Sequence, residues 1–213
     1  MQPTIECFTL GPWATNCYLV HDTQRKRCWI ADASFEPEPL IDRVRELGLV
    51  PDAIVLTHAH LDHIAGVRQV KEAFPEATIW IHEAEHKWLT DPVLNLSAAA
   101  GLPVTAPECD RVLFSGETVE LGGENWEVRH TPGHSPGGIA LVHKKTRRAI
   151  VGDTLFAASV GRTDFPGCDP SRLEKSIRKQ LYTLPDDTLI LPGHGPSTTI
   201  GREKASNPFV PGR

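Results

Sequence analysis

Three histidines and one aspartate lie within six consecutive positions of this chain, in the segment Thr-His-Ala-His-Leu-Asp-His at residues 57–63. The apolar run 53–56 comes directly before them and follows Pro51-Asp52, a pattern that predicts a short buried strand. Four polar groups so close together are costly to bury unless a cation holds them. The segment therefore predicts a metal site at a strand end rather than a solvated, histidine-rich loop.

The composition indicates one globular domain. The chain has 213 residues, 40% of them hydrophobic, which is enough for one sizeable core, so we expect a single domain over residues 1–213. The net charge is −5, and the basic stretches 25–27 and 144–148 stand beside strand-like segments, where hairpin tips are usually charged. Nucleic acid is not an expected partner.

The cysteines and the N-terminus indicate a cellular compartment. Five cysteines, odd in number and without Cys-x-x-Cys spacing, are typical of reduced thiols. The first residues lack a basic and an apolar targeting region, and no stretch approaches the roughly 18 apolar residues of a membrane span. We expect a soluble cytoplasmic protein, monomeric or homodimeric, with no membrane partner.

The apolar pattern predicts alternating strands and helices. Residues 90–117 lack clear periodicity and are rich in Pro, Gly and Ala, which favours a surface insertion or flap. The predicted strands are 5–10, 16–20, 28–33, 53–56, 78–81, 119–121, 126–129, 139–142, 149–151 and 189–191, and the predicted helices are 38–47, 64–74 and 171–181. This order indicates an α/β fold.

Three further residues of the ligand type follow predicted buried strands. His134 stands in the turn 131–137, Asp153 follows Gly152, and His194 follows Pro192-Gly193. Taken singly, each would fit an ordinary turn. Their shared placement at strand ends favours a common site, because α/β folds gather their sites there.

Seven ligands, five His and two Asp, are too many for one tetrahedral zinc but fit two metals with one shared carboxylate and room for water. Two cations about 3.5–4 Å apart can hold a bridging hydroxide, since metal binding lowers the pKa of water from about 15.7 to about 7. We therefore predict two divalent ions and hydrolytic chemistry. Zinc is the first expectation, and iron or manganese suits the same donors.

These residues, in this order, resemble the pattern of the metallo-β-lactamase superfamily. The resemblance implies a four-layered αββα sandwich with the metals at the common edge of its two sheets. It also implies the allocation of ligands: one metal would take His58, His60 and His134, the second Asp62, His63 and His194, and Asp153 would bridge them.

Within the superfamily, residues 131–137 and 152–156 resemble glyoxalase II, the hydroxyacylglutathione hydrolases, in a short form without the C-terminal helical domain. Asp153 differs from the cysteine that true β-lactamases carry at that step. The resemblance implies that Arg162, with Asp164 beside it, meets an acidic substrate such as a glutathione conjugate.

The expected reaction is hydrolysis of a small thioester such as S-D-lactoylglutathione to a hydroxy acid and a thiol by a metal-bridging hydroxide. Asp62 would orient the hydroxide as well as bind metal. Gly-Arg-Thr-Asp-Phe at 161–165 also resembles persulfide dioxygenases, which use a single iron, and a lactonase is possible on this scaffold. A non-catalytic metal-binding or electron-transfer module is disfavoured by the intact ligand set. His82, at another strand end, is expected to cap a helix or to lie on the surface.

Overall fold

The computed structural model describes residues 2–22 and 24–212, which fall into two units. Unit 1 holds the residues up to Leu113 together with Glu120–Asn125. Unit 2 holds Phe114–Val119 and the residues from Trp126 on. The prediction of one domain stays a prediction, and the two units are described in turn.

Unit 1 is built on a six-stranded mixed sheet whose strands follow one another in chain order. Its strands are β1 (Thr4–Leu10), β2 (Thr15–Asp22), β3 (Arg27–Ala31), β4 (Val50–Val55), β5 (Thr78–His82) and β6 (Arg111–Leu113). The first three pair antiparallel, as the sequence predicts, and β3 to β6 pair parallel. The carboxyl ends of β3, β4 and β5 therefore lie at the same edge of the sheet.

Three short α-helices accompany this sheet: α1 (Glu38–Glu46), α2 (Leu61–Ile64) and α3 (Val67–Ala73), and a 3₁₀ segment spans Glu83–Thr90. The apolar stripe of α1, Leu40, Ile41 and Val44, is buried as its helical spacing predicts. The His82 side chain accepts a hydrogen bond from the Ala84 N–H and so caps the 3₁₀ segment, which confirms the capping prediction.

The predicted helix 64–74 is broken at Gly66. The Gly66 N–H donates to the carbonyl of Ala33, 2.8 Å away, and a Cβ at this position would lie 2.1 Å from the backbone oxygen of Ser34. This close approach of two backbones separates α2 from α3. Apolar spacing alone could not reveal it, because the spacing continues through the break.

The region 90–117 is partly the surface insertion that the sequence predicts. Its anchor is the buried Asn95, whose side-chain amide donates to the carbonyls of Trp88 and Val104. The Leu61 N–H, at the start of α2, donates to the Asn95 carbonyl. Strand β6 was not predicted, since three residues are too few to show a period of two.

The second sheet is also six-stranded and mixed, with the order β14-β13-β10-β9-β8-β7. Its strands are β7 (Thr118–Leu121), β8 (Glu124–His130), β9 (Ile139–His143), β10 (Arg148–Gly152), β13 (Leu189–Pro192) and β14 (Thr198–Thr199), and β11 (Leu155–Phe156) and β12 (Ser159–Val160) form a separate ribbon. Because β10 and β13 pair parallel, with Gly152 opposite Pro192, their carboxyl ends meet at one edge.

Two helices belong to unit 2, α4 (Pro170–Ser176) and α5 (Ile200–Ser206). Asp169 caps α4 by accepting from the N–H groups of Ser171 and Arg172. The helical path continues to Leu181, as predicted, but its last turn is a π-helix. Among residues 2–22 and 24–212, no helix is long and apolar enough to span a membrane.

Gly66→Ala should destabilise the fold by about 1–3 kcal/mol, because the new methyl group would press on the Ser34 backbone oxygen. Urea unfolding followed by circular dichroism measures this change. Gly48→Asn is the matched control, since Gly48 follows α1 at φ +59°, which asparagine tolerates, and no atom lies within 4 Å of its Cβ position. Equal free energies of unfolding for the two variants would show that the backbone contact at Gly66 does not require glycine.

Candidate metal centre

The histidine-rich segment lies at the carboxyl end of β4 and continues into α2. His58, His60 and His63 are buried, while Asp62 is half-buried. The ring centroid of His58 lies 4.7 Å from that of His60 and 4.0 Å from that of His63. The Asp62 Oδ2 lies 3.5 Å from the His63 Nε2. Unit 1 therefore brings its four predicted ligands together.

A buried carboxylate that the sequence analysis missed, Asp32, organises these ligands. It accepts from the backbone N–H of Thr57 at 2.7 Å, from the Thr57 hydroxyl at 2.7 Å and from the Nδ1 of His63 at 2.8 Å. A carboxylate only accepts, so the His63 proton stands on Nδ1 and the Nε2 lone pair is the metal-binding one.

The same carboxylate reaches His58 through Thr57. The single hydroxyl proton of Thr57 goes to Asp32, so its oxygen accepts from the His58 Nδ1, 3.2 Å away. His58 therefore also presents Nε2. Asp32 stands just after the buried strand β3, a position like those of Asp153 and His194, but the predicted strand 28–33 included it and so hid this signal.

Two other contacts hold this segment. The Thr15 hydroxyl donates to the Asp62 Oδ2 at 2.9 Å, which fixes the carboxylate. The carboxylate of Glu85, fully buried, accepts from the Ala59 N–H at 2.6 Å, between two ligands. Glu85 stands inside the 3₁₀ segment, and no sequence pattern singles it out.

Unit 2 brings together its own three predicted ligands around Asp153. The Asp153 Oδ2 lies 3.5 Å from the Nε2 of His134 and 3.5 Å from the Nε2 of His194. The Nδ1 of His134 donates to the Arg162 carbonyl at 2.7 Å, which again leaves Nε2 as the metal-binding atom. A carboxylate between two imidazoles is the arrangement expected of a bridging ligand.

Gly133, just before His134, allows a close backbone contact. In the structure a Cβ at Gly133, where φ is +138°, would lie 2.3 Å from the backbone nitrogen of Leu173. The glycine therefore lets the loop pack against α4, and that packing places His134.

Arg162 and Asp164 form an exposed pair. The guanidinium donates from Nε to Oδ1 at 3.0 Å and from Nη2 to Oδ2 at 2.8 Å, and it lies over the ring of Phe165. These bonds lower the pKa of the Asp164 carboxyl and raise the pKa of the Arg162 guanidinium. The arginine predicted to bind substrate is thus already engaged by a carboxylate.

The donors fit divalent metal ions. All seven predicted ligands are among the His and acidic side chains that could hold a metal ion. Imidazole and carboxylate donors suit zinc, iron and manganese, so the donor set does not identify the metal. The five cysteines are free thiols, and burial raises the pKa of Cys17 and Cys28.

Comparison with known proteins assigns the family. Residues 10–194 match the model of the metallo-beta-lactamase superfamily. The chain belongs to this superfamily. It is 40% identical to the hydroxyacylglutathione hydrolase GloC of Haemophilus influenzae over 97% of each chain, and 39% identical to the probable metallo-hydrolase YqgX of Bacillus subtilis over 95% of each. Superfamily membership supports a metal-dependent hydrolase.

Solved structures confirm the fold. This chain is similar to the B3 metallo-beta-lactamase BLEG-1, with a TM-score of 0.93, 39% identity and coverage of 97% and 99% of the two chains. The structure of TTHA1623 in a di-iron-bound form has a TM-score of 0.85 and 38% identity, and the match covers 96% of this chain and 100% of that one. ETHE1 from Myxococcus xanthus has a TM-score of 0.80 and 27% identity, and the match covers 99% of this chain and 85% of that one. The predicted α/β sandwich, with mixed sheets flanked by helices, is therefore confirmed.

Asp32→Asn should weaken metal binding about 10- to 100-fold. With Oδ1 kept for the Thr57 N–H, an amide NH₂ would face the Thr57 hydroxyl and His63. Both His58 and His63 would then move their protons to Nε2. Chelator competition measures the affinity, and ¹⁵N shifts of the imidazoles report the tautomers.

The control for this prediction is Asp42→Asn, an exposed carboxylate of unit 1. This variant should leave the metal affinity and the ¹⁵N shifts of the imidazoles unchanged. Wild-type metal affinity and unchanged tautomers in Asp32→Asn would show that Asp32 does not orient the ligands.

Proposed function

We propose that this protein is a cytoplasmic binuclear metallohydrolase that cleaves a small thioester, such as S-D-lactoylglutathione, to a hydroxy acid and a thiol. The observation that carries the proposal is the Asp153 carboxylate between the imidazoles of His134 and His194. A carboxylate with an imidazole on each side can serve two ions at once. The likeness to a relative named hydroxyacylglutathione hydrolase supports the thioester.

The proposed ligand allocation follows the superfamily pattern. His58, His60 and His134 would bind one ion, Asp62, His63 and His194 the other, and Asp153 both. Zinc is the first candidate, with iron or manganese compatible with the same donors. Bound in this way, two divalent ions would supply a Lewis acid and water of lowered pKa.

The chain's own residues would position the reactants. Asp62, fixed by the Thr15 hydroxyl, would orient the attacking water as well as bind metal. The buried imidazoles and the Trp88 ring, 6.0 Å from that of His60, would limit access of bulk water. A thiolate leaves readily near neutral pH, because thiols titrate near pH 8.5, so no dedicated general acid is needed.

Arg162 would bind a carboxylate of the substrate. Because Asp164 already occupies two of its donors, an acidic substrate would exchange with Asp164 or use the remaining Nη1. The pair therefore favours acidic substrates only when their carboxylate competes well with Asp164. A glutathione conjugate, with two carboxylates, meets that requirement.

Three other activities are candidates on the same scaffold. A persulfide dioxygenase is favoured by Gly-Arg-Thr-Asp-Phe at 161–165 and by the likeness to ETHE1. Two solved structures similar to this chain are a di-iron-bound protein and a B3 metallo-beta-lactamase, so iron should be tested as the metal and β-lactams as substrates. A lactone is a third possible substrate.

The deciding experiment measures metal content per chain on protein purified without added metal, together with thiol release from S-D-lactoylglutathione on the same sample. Two metals and rapid thiol release are expected. One iron, no thiol release and oxygen uptake with glutathione persulfide would replace the proposal with the dioxygenase. Turnover of a lactone or a β-lactam alone would replace it with those hydrolases.

Asp153→Ala should lose the binuclear centre and most thioester hydrolysis, because it removes the carboxylate oxygen that lies 3.5 Å from the Nε2 atoms of both His134 and His194. Metal analysis and thiol release check this result. Asp187→Ala, an exposed carboxylate of the same unit, is the control. A variant with two metals and full activity would contradict the bridging role.

Arg162→Ala should raise the KM for S-D-lactoylglutathione about tenfold with a smaller change in kcat, because a charge-assisted bond made in the ground state is lost. A thioester without carboxylates, such as S-acetyl-N-acetylcysteamine, is the matched control substrate, and its KM should not rise. An equal rise for both thioesters would point to a structural effect instead.

A further inference from the structure

A basic cavity lies in unit 2 beside the loop that carries His134. Its volume is about 240 Å³, and its walls come from α4, the turn after it and the end of β8. Three cationic side chains line it, Arg172, Lys175 and Lys179, and no acidic residue does. The charged side chains that line this cavity are therefore all positive.

The three cations share one side of the helical path because their spacing is three and then four residues. In the described part of the chain none of them forms an ion pair with Asp or Glu. The one acid on this helix, Glu174, instead pairs with Arg178 at 2.9 Å, outside the cavity lining. The ion pair of this helix therefore lies outside the cavity lining, and the three cations, which form no ion pair with a described residue, lie within it.

Asp169, three residues before Arg172, already accepts hydrogen bonds. Its Oδ1 accepts from the backbone N–H groups of Ser171 and Arg172 and from the Ser171 hydroxyl. These bonds hold the pKa of the Asp169 carboxyl below its usual range. The Arg172 charge also attracts this carboxylate, but the hydrogen bonds of Asp169 cap α4 and none goes to the Arg172 guanidinium, whose N–H groups can still bind a ligand.

The cavity wall on the other side is held by hydrogen bonds. The Ser176 hydroxyl donates to the carbonyl of Pro132 at 2.7 Å, and the His130 Nε2 donates to the carbonyl of Pro136 at 2.8 Å. Both carbonyls belong to the turn that presents His134. A ligand in the cavity would therefore contact the support of a predicted metal ligand without touching the metal site.

We propose that this cavity binds a phosphate group of a small molecule. Lysine and arginine side chains are the usual phosphate ligands of proteins, and three of them match two negative charges or more. The volume is below the roughly 300–1,000 Å³ of sites that enclose drug-sized molecules, so the cavity suits one or two phosphate groups, with the rest of a larger molecule outside it.

Direct binding tests the proposal independently of catalysis. Adenosine 3′,5′-bisphosphate is titrated calorimetrically into the full-length, metal-loaded protein and into Arg172→Gln/Lys175→Gln/Lys179→Gln. We expect saturable binding to the wild type that weakens with salt and falls about tenfold or more in the triple variant. Arg202→Gln, an exposed cation on α5 outside the cavity, is the control and should bind like the wild type.

Two outcomes would overturn the proposal: no binding to the wild type at about millimolar probe, or equal affinity in the triple variant. The second would locate the phosphate elsewhere, for example on the metals. Thermal unfolding checks that the triple variant is folded. If it is not, Lys175→Gln alone should still weaken binding two- to threefold, and wild-type affinity in that variant would count against the site.

The same phosphate chemistry could come from a free metabolite or from a phosphorylated substrate, and steady-state kinetics separates these sources. The possibility that the phosphate belongs to the substrate rests on the proposed thioesterase function. A phosphorylated substrate predicts a lower KM for acetyl-coenzyme A than for S-acetylpantetheine, with the difference lost in the triple variant. A free effector predicts that the bisphosphate alters turnover of S-D-lactoylglutathione in the wild type alone.

Failure of this proposal and failure of the proposed function give different results. Bisphosphate binding without turnover of any thioester would retain the cavity site and remove the thioesterase assignment. Thioester turnover without bisphosphate binding would retain the enzyme and remove the cavity site.

Discussion

The carboxylate of Asp32 is the contact that orients two of the predicted metal ligands of unit 1, His58 and His63. This buried group accepts from the Thr57 backbone, the Thr57 hydroxyl and the His63 ring, and it reaches His58 through the hydroxyl. A buried charge is costly unless it is fully hydrogen-bonded, and two of these three bonds also orient an imidazole. The close backbone contact at Gly66 brings the segment after β3 against α2, so the carboxylate can reach both imidazoles.

Much of the fold was predictable because its signals are local. Apolar runs followed by turns identified most strands, and helical spacing identified α1 and the α4 region. The break at Gly66 and the short strand β6 were not predictable. The first depends on a backbone oxygen more than thirty residues away, and the second is shorter than any period that a sequence can display.

The ligand-type residues were predictable because they follow strands. In the sequence, the apolar pattern of each of these strands is visible, and the ligand-type residues come after it. The residues that orient them were harder to find. Asp32 fell inside the predicted strand 28–33, and Glu85 acts through a backbone N–H that has no sequence signature. Substrate identity is harder still to predict, because the candidate substrate-binding residues Arg162 and Asp164 are exposed and pair with each other, so neither burial nor a strand end marks them.

The bond between the Leu61 N–H and the Asn95 carbonyl joins two backbone groups, so it does not depend on the side chains around it. Val93, Leu94 and Leu102, in the same insertion, are exposed apolar side chains. They are therefore free to diverge while the Asn95 amide keeps the loop closed and α2 in place. The sequence of this insertion is therefore constrained at its buried polar residues and not at its exposed apolar ones.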